Sequence, residues 1–131
     1  MITRIDPTEL APIPGATHVT VATGTRVVHI AGQTGIDADG AIVGPTHAEQ
    51  SAQAFTNLRT AIEAAGGTLA DTAAVTIYIV DYTAEVFDAV VGGALQALGE
   101  DFPLTAATLV GVAALWQPGL LIEVTATAVL D

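Results

Sequence analysis

Hydrophobic positions recur at helical spacing in two stretches of the chain. Residues 47–65 and residues 83–98 each place apolar side chains every three or four positions, which predicts two amphipathic helices. Thr46 and Glu49 have the spacing of a capping box, so the first helix begins there. The pair Gly92 and Gly93 interrupts the second pattern. We therefore expect the middle of the second helix to be bent or closely packed.

The remaining apolar segments have the β-branched content or the period of two that is typical of strands. Two short runs joined by a Thr-Gly-Thr turn predict an opening hairpin, and two runs joined by Trp-Gln-Pro-Gly predict a closing hairpin. These segments are residues 18–32 for the opening hairpin, 73–80 for a strand between the helices, and 105–130 for the closing hairpin.

This order of elements predicts a single α+β domain of 131 residues, with a mixed sheet and both helices on one face. Two helices cover one face only, so the far face of strands 73–80 and 106–115 is expected to be apolar and bare. An apolar surface of that size is typical of an interface. We expect other copies of the same chain to cover it.

Composition supports a buried interface and excludes some environments. Hydrophobic residues make up 51% of the chain and charged residues only 13%, which is more apolar surface than one small domain buries. No uninterrupted apolar run is long enough to span a membrane, and the start lacks the pattern of a signal peptide. The expectation is a cytoplasmic protein with no membrane partner.

Charge and residue usage exclude several chemistries. The net charge is −11, lysine is absent and only three arginines occur, which argues against a nucleic-acid partner. Without cysteine there is no thiol nucleophile or thiolate metal site. The three histidines have no metal-ligand spacing, so no metal site is expected.

Five ordered motifs resemble the Rid superfamily of reactive intermediate deaminases, also called the YjgF family. They are VVHIAGQTGIDADGAIVG, EQSAQAFTNLRTAIEAAGGTLAD, VTIYIVDYT, TLVGVAAL and IEVTATAV, and the similarity runs from about Gly15 to Val129. The resemblance implies a chorismate-mutase-like α+β fold assembled as a homotrimer, with a ligand cleft at each subunit interface. It further implies a small-molecule substrate, a 2-imino or 2-enamino acid hydrolysed by water, and no metal or organic cofactor.

The deaminase branch of that family binds the substrate carboxylate with an arginine that this chain lacks. Its position falls on Ala107 or on Thr105, depending on which flanking motif is aligned. The branch's Gly-Pro-Tyr motif corresponds to residues 15–18, so Ala16 stands in it and the cleft aromatic is missing. Because a charge-assisted contact is lost, we do not expect a simple amino-acid-derived carboxylate as the ligand. Arg26 could substitute, although its place after a turn favours a role at the hairpin or rim.

Other positions of the family's cleft are retained. The water-positioning glutamate matches Glu123, and the backbone donors match Ala31, Gly32 and Gln33, while an asparagine of the cleft corresponds approximately to Asp88. A carboxyl in an apolar cleft without a cation can act as general acid as well as general base. The alternative for Glu123 is a solvated glutamate on a polar strand face.

His18 is the second acid/base candidate, because it stands near the missing aromatic. The alternative is a histidine at a strand start whose ring nitrogen is satisfied locally. The resulting hypothesis is a Rid-like enzyme that transfers water or a proton to an imine, enamine or related intermediate. The alternatives are a non-catalytic ligand-binding or protein-stabilising trimer, and a biosynthetic tailoring enzyme that uses the same cleft. The ribonuclease activity sometimes attached to the family is opposed by the charge.

Overall fold

The chain forms six strands and two α-helices in an α+β arrangement, and the computed structural model describes all residues, 1–131. Both predicted helices and the strand between them are confirmed within one or two residues. The strands are β1 (Ile2–Ile5), β2 (Val19–Ala22), β3 (Arg26–Thr34), β4 (Thr72–Val80), β5 (Ala106–Val112) and β6 (Ile122–Leu130), and the helices are α1 (His47–Ala64) and α2 (Ala84–Leu98).

Each helix begins at a threonine cap. The Thr46 hydroxyl accepts a hydrogen bond from the Glu49 amide at 3.2 Å, and the Thr83 hydroxyl accepts one from the Val86 amide at 3.1 Å. The capping box predicted for α1 is only half formed, because the Glu49 carboxylate turns towards Gly44 and does not return a bond to Thr46. The cap residue alone is sufficient to define where the helix starts.

The main sheet has the strand order β3-β6-β4-β5, so the predicted closing hairpin is wrong. Strand β6 is inserted between β3 and β4 and runs antiparallel to both, while β5 lies at the edge and runs parallel to β4. Every second residue of β6 is buried, which suits a central position. The alternating pattern predicts which face is buried, but it carries no information about the neighbouring strand.

The predicted opening hairpin is also wrong. Strand β2 pairs with β1 in a separate two-stranded sheet, whereas β3 joins the main sheet beside β6. The turn that connects β2 to β3 is hydrogen-bonded towards both sheets. The Thr23 amide donates to Met1 O, beside β1, and the Thr25 amide donates to Leu130 O of β6. Strands β3 and β6 have nine residues each, whereas β2 has only four. Pairing with β6 therefore gives β3 a longer run of main-chain hydrogen bonds than pairing with β2 would.

Both helices pack on one face of the main sheet, as predicted. A cluster of 15 buried residues joins α1, α2 and the helix-facing side chains of the strands, with Phe55, Ile79 and Ile122 among the most buried. The helices touch closely at Gly93, where a Cβ would lie 2.3 Å from Ala48 O and 2.9 Å from Ser51 Cβ. The double glycine therefore serves close packing of α2 on α1.

No helix covers the other face of the sheet, which we call the far face. Its side chains are half-buried or exposed, as predicted, but only part of them are apolar. Threonines occupy a large share of it, and β-branched polar residues suit a pleated surface that packs against another sheet. The far-face residues of the three strands β4, β5 and β6 include Thr76, Tyr78, Thr108, Val110, Glu123, Thr125, Thr127 and Val129. As for membranes, neither α1 nor α2 combines the length and the hydropathy that a transmembrane helix requires.

The two adjacent glycines of α2 provide a matched test of the helix contact. Gly93→Ala should lower the free energy of unfolding by about 1–3 kcal/mol, because its methyl group forces α2 away from Ala48. Gly92→Ala meets no atom within 4 Å and should raise stability by up to about 1 kcal/mol through helix propensity. Urea unfolding followed by circular dichroism measures both, and equal midpoints for the two variants would contradict the close contact.

Candidate functional site

A β-bulge interrupts strand β3 where it passes β6. Ile30 pairs with Ala126 and Gln33 with Val124, so Ala31 and Gly32 together lie opposite the single residue between those partners. The Gln33 side chain donates a hydrogen bond to Ala31 O at 3.0 Å and so closes the bulge on itself. Ala31, Gly32 and Gln33, to which the family resemblance assigns the backbone donors, thus belong to this one β-bulge.

Glu123 lies directly over this bulge. A Cβ built on Gly32 would be 2.4 Å from Glu123 Oε2 and 2.5 Å from Cδ, so any residue other than glycine at position 32 displaces the carboxyl group. The Glu123 side chain is half-buried on the far face and no other residue donates a side-chain hydrogen bond to it. The structure therefore brings Ala31, Gly32, Gln33 and Glu123 together.

Tyr78 stands opposite Glu123 on the neighbouring strand. The two residues are register partners in the antiparallel pair β4 and β6, which places their Cβ atoms roughly 4.5–5.5 Å apart on the same face. Sequence reasoning missed Tyr78 because the far face of the strand at 73–80 was expected to be apolar. The signal was present, since Thr76 and Tyr78 alternate with Ile77 and Ile79 at the period of a half-buried strand.

No arginine of the same chain reaches Glu123. The only ion pair joins Arg59 to Asp101 at 3.2 Å, and the Arg4 guanidinium donates to Leu104 O. Arg26 donates to the main-chain oxygen of Asp131 at 3.0 and 3.1 Å. Arg26 pairs with Leu130, about seven strand residues or about 23 Å from Glu123, so it does not replace the missing arginine within one chain.

Two polar residues of α1 hold the backbone on either side of the site. The fully buried Gln50 donates to Gly44 O at 3.0 Å and to Gly119 O at 2.9 Å, and its Oε1 accepts from the Leu121 amide at 2.8 Å. Asn57 donates to Thr34 O at 3.1 Å and to the main chain of residue 36 at 2.8 Å.

Sequence reasoning missed these residues, although Gln50 lies four positions before Ala54 and eight before Leu58 on the buried stripe of α1. A polar residue at such a position must find hydrogen-bond partners. The contacts of Gln50 and Asn57 fix the chain just after the bulge and just before β6.

Ala107 and Ala16, the expected substrate-binding positions, lie on the opposite side of the sheet from Glu123 within one chain. Ala107 and Leu109 belong to the helix-facing side of β5, since Val75 and Ile77 are their register partners. Ala107 and Ala16 line a groove of about 450 Å³ between α2, β5 and residues 13–16, which we call the α2–β5 groove.

Thr105 and Asp88 also stand apart from Glu123. Thr105 is buried, its hydroxyl donates to Thr72 O at 3.1 Å and its main-chain oxygen accepts from the Thr17 amide, so its polar atoms are committed to the fold. Asp88 is exposed on α2. These positions can meet Glu123 only if they come from a different copy of the chain.

His18 lies just before β2 and closes the loop of residues 6–18 through contacts with Asp6 and Ala11. Its Nε2 is 2.7 Å from Ala11 O, and a carbonyl oxygen can only accept, so this nitrogen carries the proton. Its amide donates to Asp6 Oδ1 at 2.8 Å, and the Thr17 hydroxyl donates to the same oxygen at 3.0 Å. This matches the local role considered as the alternative for His18. No three acidic or histidine side chains lie close enough to share a metal ion.

The chain is similar to known proteins over nearly its whole length. The family described as "Endoribonuclease L-PSP" matches residues 8–130. The crystal structure of a Rid family protein from Yersinia pestis is 32% identical, with a TM-score of 0.89 and 98% of each chain covered. A Mycobacterium tuberculosis member of the YjgF/YER057c/UK114 family is 30% identical, with a TM-score of 0.63, 99% of this chain and 100% of that chain covered. No curated protein matches.

The hydrogen bonds to Asp6 predict a pH dependence of the loop that His18 closes. The backbone hydrogen bond from His18 lowers the pKa of Asp6 below its ordinary value of 3.8, and the Thr17 bond acts in the same direction. The contribution of this carboxylate to loop stability is therefore complete above pH 3.8 and is lost as the pH falls through the lower, folded-state pKa.

The His18 amide reports this titration directly. We expect its NMR chemical shift to titrate with a midpoint below 3.8, whereas Asp6→Asn abolishes the transition. A midpoint at or above 3.8 would contradict the contact.

Proposed function

Because the chain belongs to the Rid family, which is also described as the endoribonuclease L-PSP family, we propose that it is an enzyme acting on a small reactive intermediate. In this proposal Glu123 transfers a proton or activates water at an imine, an enamine or a related group. The observation that carries the proposal is the Glu123 carboxylate held over the Gly32 bulge beside Tyr78, with no cation of the same chain near it.

The arrangement suits proton transfer in both directions. Glu123 accepts a proton from a water molecule as the water oxygen attacks the imine carbon, and it returns that proton to the nitrogen. The resulting carbinolamine then gives its hydroxyl proton to the carboxylate, which passes it to the amine nitrogen as the carbon–nitrogen bond breaks, so that ammonia leaves and a carbonyl product forms. Glu123 ends each cycle in its starting state. The Tyr78 hydroxyl, on the neighbouring strand, is a hydrogen-bond donor for the nitrogen or the water.

The missing arginine defines the class of substrate. Ala107 and Thr105 carry no charge at the positions where the deaminase branch binds a carboxylate, and Arg26 is too far from Glu123 within one chain. A substrate carboxylate buried in such a cleft would lose its hydration, and no cationic side chain would offset that cost. We therefore propose an uncharged imine or enamine rather than a standard 2-imino acid. RNA is not proposed as a substrate, because the net charge is −11 and all three arginines make contacts within the chain.

The proposed cleft lies between copies of the chain in a homotrimer. The support is the far face, which no helix covers and which presents threonine and valine side chains without lysine or arginine. In such an assembly the Ala16, Ala107, Thr105, Asp88 and His18 positions contribute to the Glu123 site only from a neighbouring copy. A non-catalytic ligand-binding trimer remains the second candidate, and the absent arginine is the observation that favours it.

Substitutions at the bulge test the catalytic proposal. Glu123→Gln should lower the turnover of an uncharged imine by about 100-fold or more, since it removes the acid/base group. Gly32→Ala should fold normally but lower turnover by about tenfold, because the methyl group displaces a flexible carboxylate.

Matched controls are Glu63→Gln on the exposed side of α1 and Gly92→Ala on α2, which should both retain full turnover. Release of ammonia from an uncharged imine and from 2-aminoacrylate measures the activity. Full turnover in Glu123→Gln would refute the mechanism, and no turnover by the unmodified protein on either substrate would favour the non-catalytic candidate.

A charge placed on the far face tests the assembly. Light scattering should give three times the chain mass of 13.2 kDa for the unmodified protein. Thr108→Arg, on the far face in the middle of the edge strand β5, should reduce the mass to that of one chain, because it buries an unpaired charge in the interface. Thr60→Arg on the exposed side of α1 is the control and should remain trimeric. A monomeric unmodified protein would exclude the trimer.

A further inference from the structure

Two strands of the main sheet are held to the first turn of α1 by three hydrogen bonds beside the candidate site. His47 Nε2 lies 2.8 Å from Val80 O, and since a carbonyl oxygen can only accept, the ring donates. The Val80 amide donates to Leu121 O at 2.9 Å, and the Leu121 amide donates to Gln50 Oε1 at 2.8 Å. These bonds join α1, β4 and the chain entering β6 in one ring. We call His47 and Gln50 the α1 clamp.

The α1 clamp holds the backbone two positions away from the candidate acid. Val80 follows Tyr78 by two residues, Leu121 precedes Glu123 by two, and Tyr78 and Glu123 are register partners. Two strand residues span about 7 Å. Since α1 packs on the helix-covered side of the sheet and Glu123 lies on the far face, the clamp reaches the carboxyl group only through the strands.

Gln50 gives the clamp a rigid mount. Its side chain is fully buried, and its amide nitrogen donates to Gly44 O at 3.0 Å and to Gly119 O at 2.9 Å, so both of its N–H donors are used. A Cβ built on Gly35 would lie 2.6 Å from Gln50 Cβ, so the chain that leaves the bulged strand β3 packs directly on this side chain. Gln50 therefore contacts the segments that precede and follow the site in the sequence.

The end of β4 needs a hold because the chain leaves the sheet there in an unfavourable conformation. Asp81, directly after Val80, has a φ of 55° and is the only residue other than glycine with a positive φ. A residue with a Cβ rarely adopts this conformation, which persists where surrounding contacts enforce it. The hydrogen bond from His47 to Val80 O is the side-chain contact made at this point.

We propose that His47 and Gln50 are positioning residues, which hold the Tyr78–Glu123 pair in the geometry that proton transfer requires. The inference rests on the proposed function and extends it to two residues of α1. Proton transfer needs donor and acceptor within hydrogen-bond distance, and a displacement of about 1 Å lowers a rate strongly. Loss of either clamp residue opens the ring of hydrogen bonds, so that the two strands can shift beside the acid.

Turnover of an uncharged imine by variants of the clamp tests the proposal. His47→Leu removes the donor to Val80 O and should lower kcat about tenfold while KM changes by less than about twofold, because the substrate contacts remain. His47→Gln keeps a side-chain N–H and should return kcat to within about threefold of the unmodified protein. Gln50→Met leaves three backbone groups without their partner and should lower kcat more than His47→Leu does.

Ser51→Ala is the matched control. The Ser51 hydroxyl also makes a hydrogen bond from α1 to a main-chain oxygen, but to Val90 O of α2 at 2.6 Å. This variant should be destabilised to urea at least as much as His47→Leu and yet keep its kcat. In a Glu123→Gln background, addition of His47→Leu should have no further effect on the residual turnover, because its effect is transmitted through that carboxyl group. An unchanged kcat in His47→Leu, an equal loss in Ser51→Ala, or a full further loss in the double variant would each overturn the proposal.

The NMR signals of the site report the positioning without any turnover. His47→Leu should shift the Gly32 amide and the carboxyl carbon of Glu123, His47→Gln should return both towards their original positions, and Ser51→Ala should leave both in place. If the unmodified protein hydrolyses no imine, the proposed function fails, and the clamp then stands or falls on these signals alone. Unchanged signals in His47→Leu, or equal changes in Ser51→Ala, show that the clamp does not position the acid.

Discussion

Strand β6 is the element on which the core and the candidate site both depend. It lies between β3 and β4, and its alternate residues from Ile122 to Leu130 are buried against the helices. The residues between them, which include Glu123, face the uncovered side. A shift of one residue in its register would exchange the two sets and place a carboxyl group in the core. Burial of one face of β6 therefore stabilises the sheet and also places Glu123 on the uncovered face.

The local geometry around Glu123 depends on a missing side chain. Because Gly32 has no Cβ, the carboxyl group can rest on the bulge of β3, and the buried amide of Gln50 and the amide of Asn57 hold the adjoining backbone from α1. A bulge is a common device for turning a strand beside a reactive group. Here it brings Glu123 against Ala31 and Gly32, the positions to which the family resemblance assigns the acid and the backbone donors.

The two sides of the sheet offer different chemistry to a ligand. The far face carries one carboxyl group, a tyrosine and several threonines, so it can exchange protons and form hydrogen bonds. The α2–β5 groove has no polar side chain in its lining, so burial of apolar surface is the main interaction that it offers. Both lack a cation, and the chain has only three, each engaged elsewhere in the fold. Absence of positive charge is thus the common restriction on what the protein binds.

Local features of the sequence were sufficient to predict both helices, the Thr46 cap of the first, the strand at 73–80 and the covered and bare faces of the sheet, while the family motifs singled out Glu123 and the segment from Ala31 to Gln33. Period, cap and turn signals are properties of neighbouring residues, so a single sequence contains them. Only the tertiary structure decided that β6 lies between β3 and β4, that Tyr78 faces Glu123, and that Ala107 faces away from it. An alternating strand pattern defines a face but not a neighbour, and pairing between distant segments is determined by how the whole core packs.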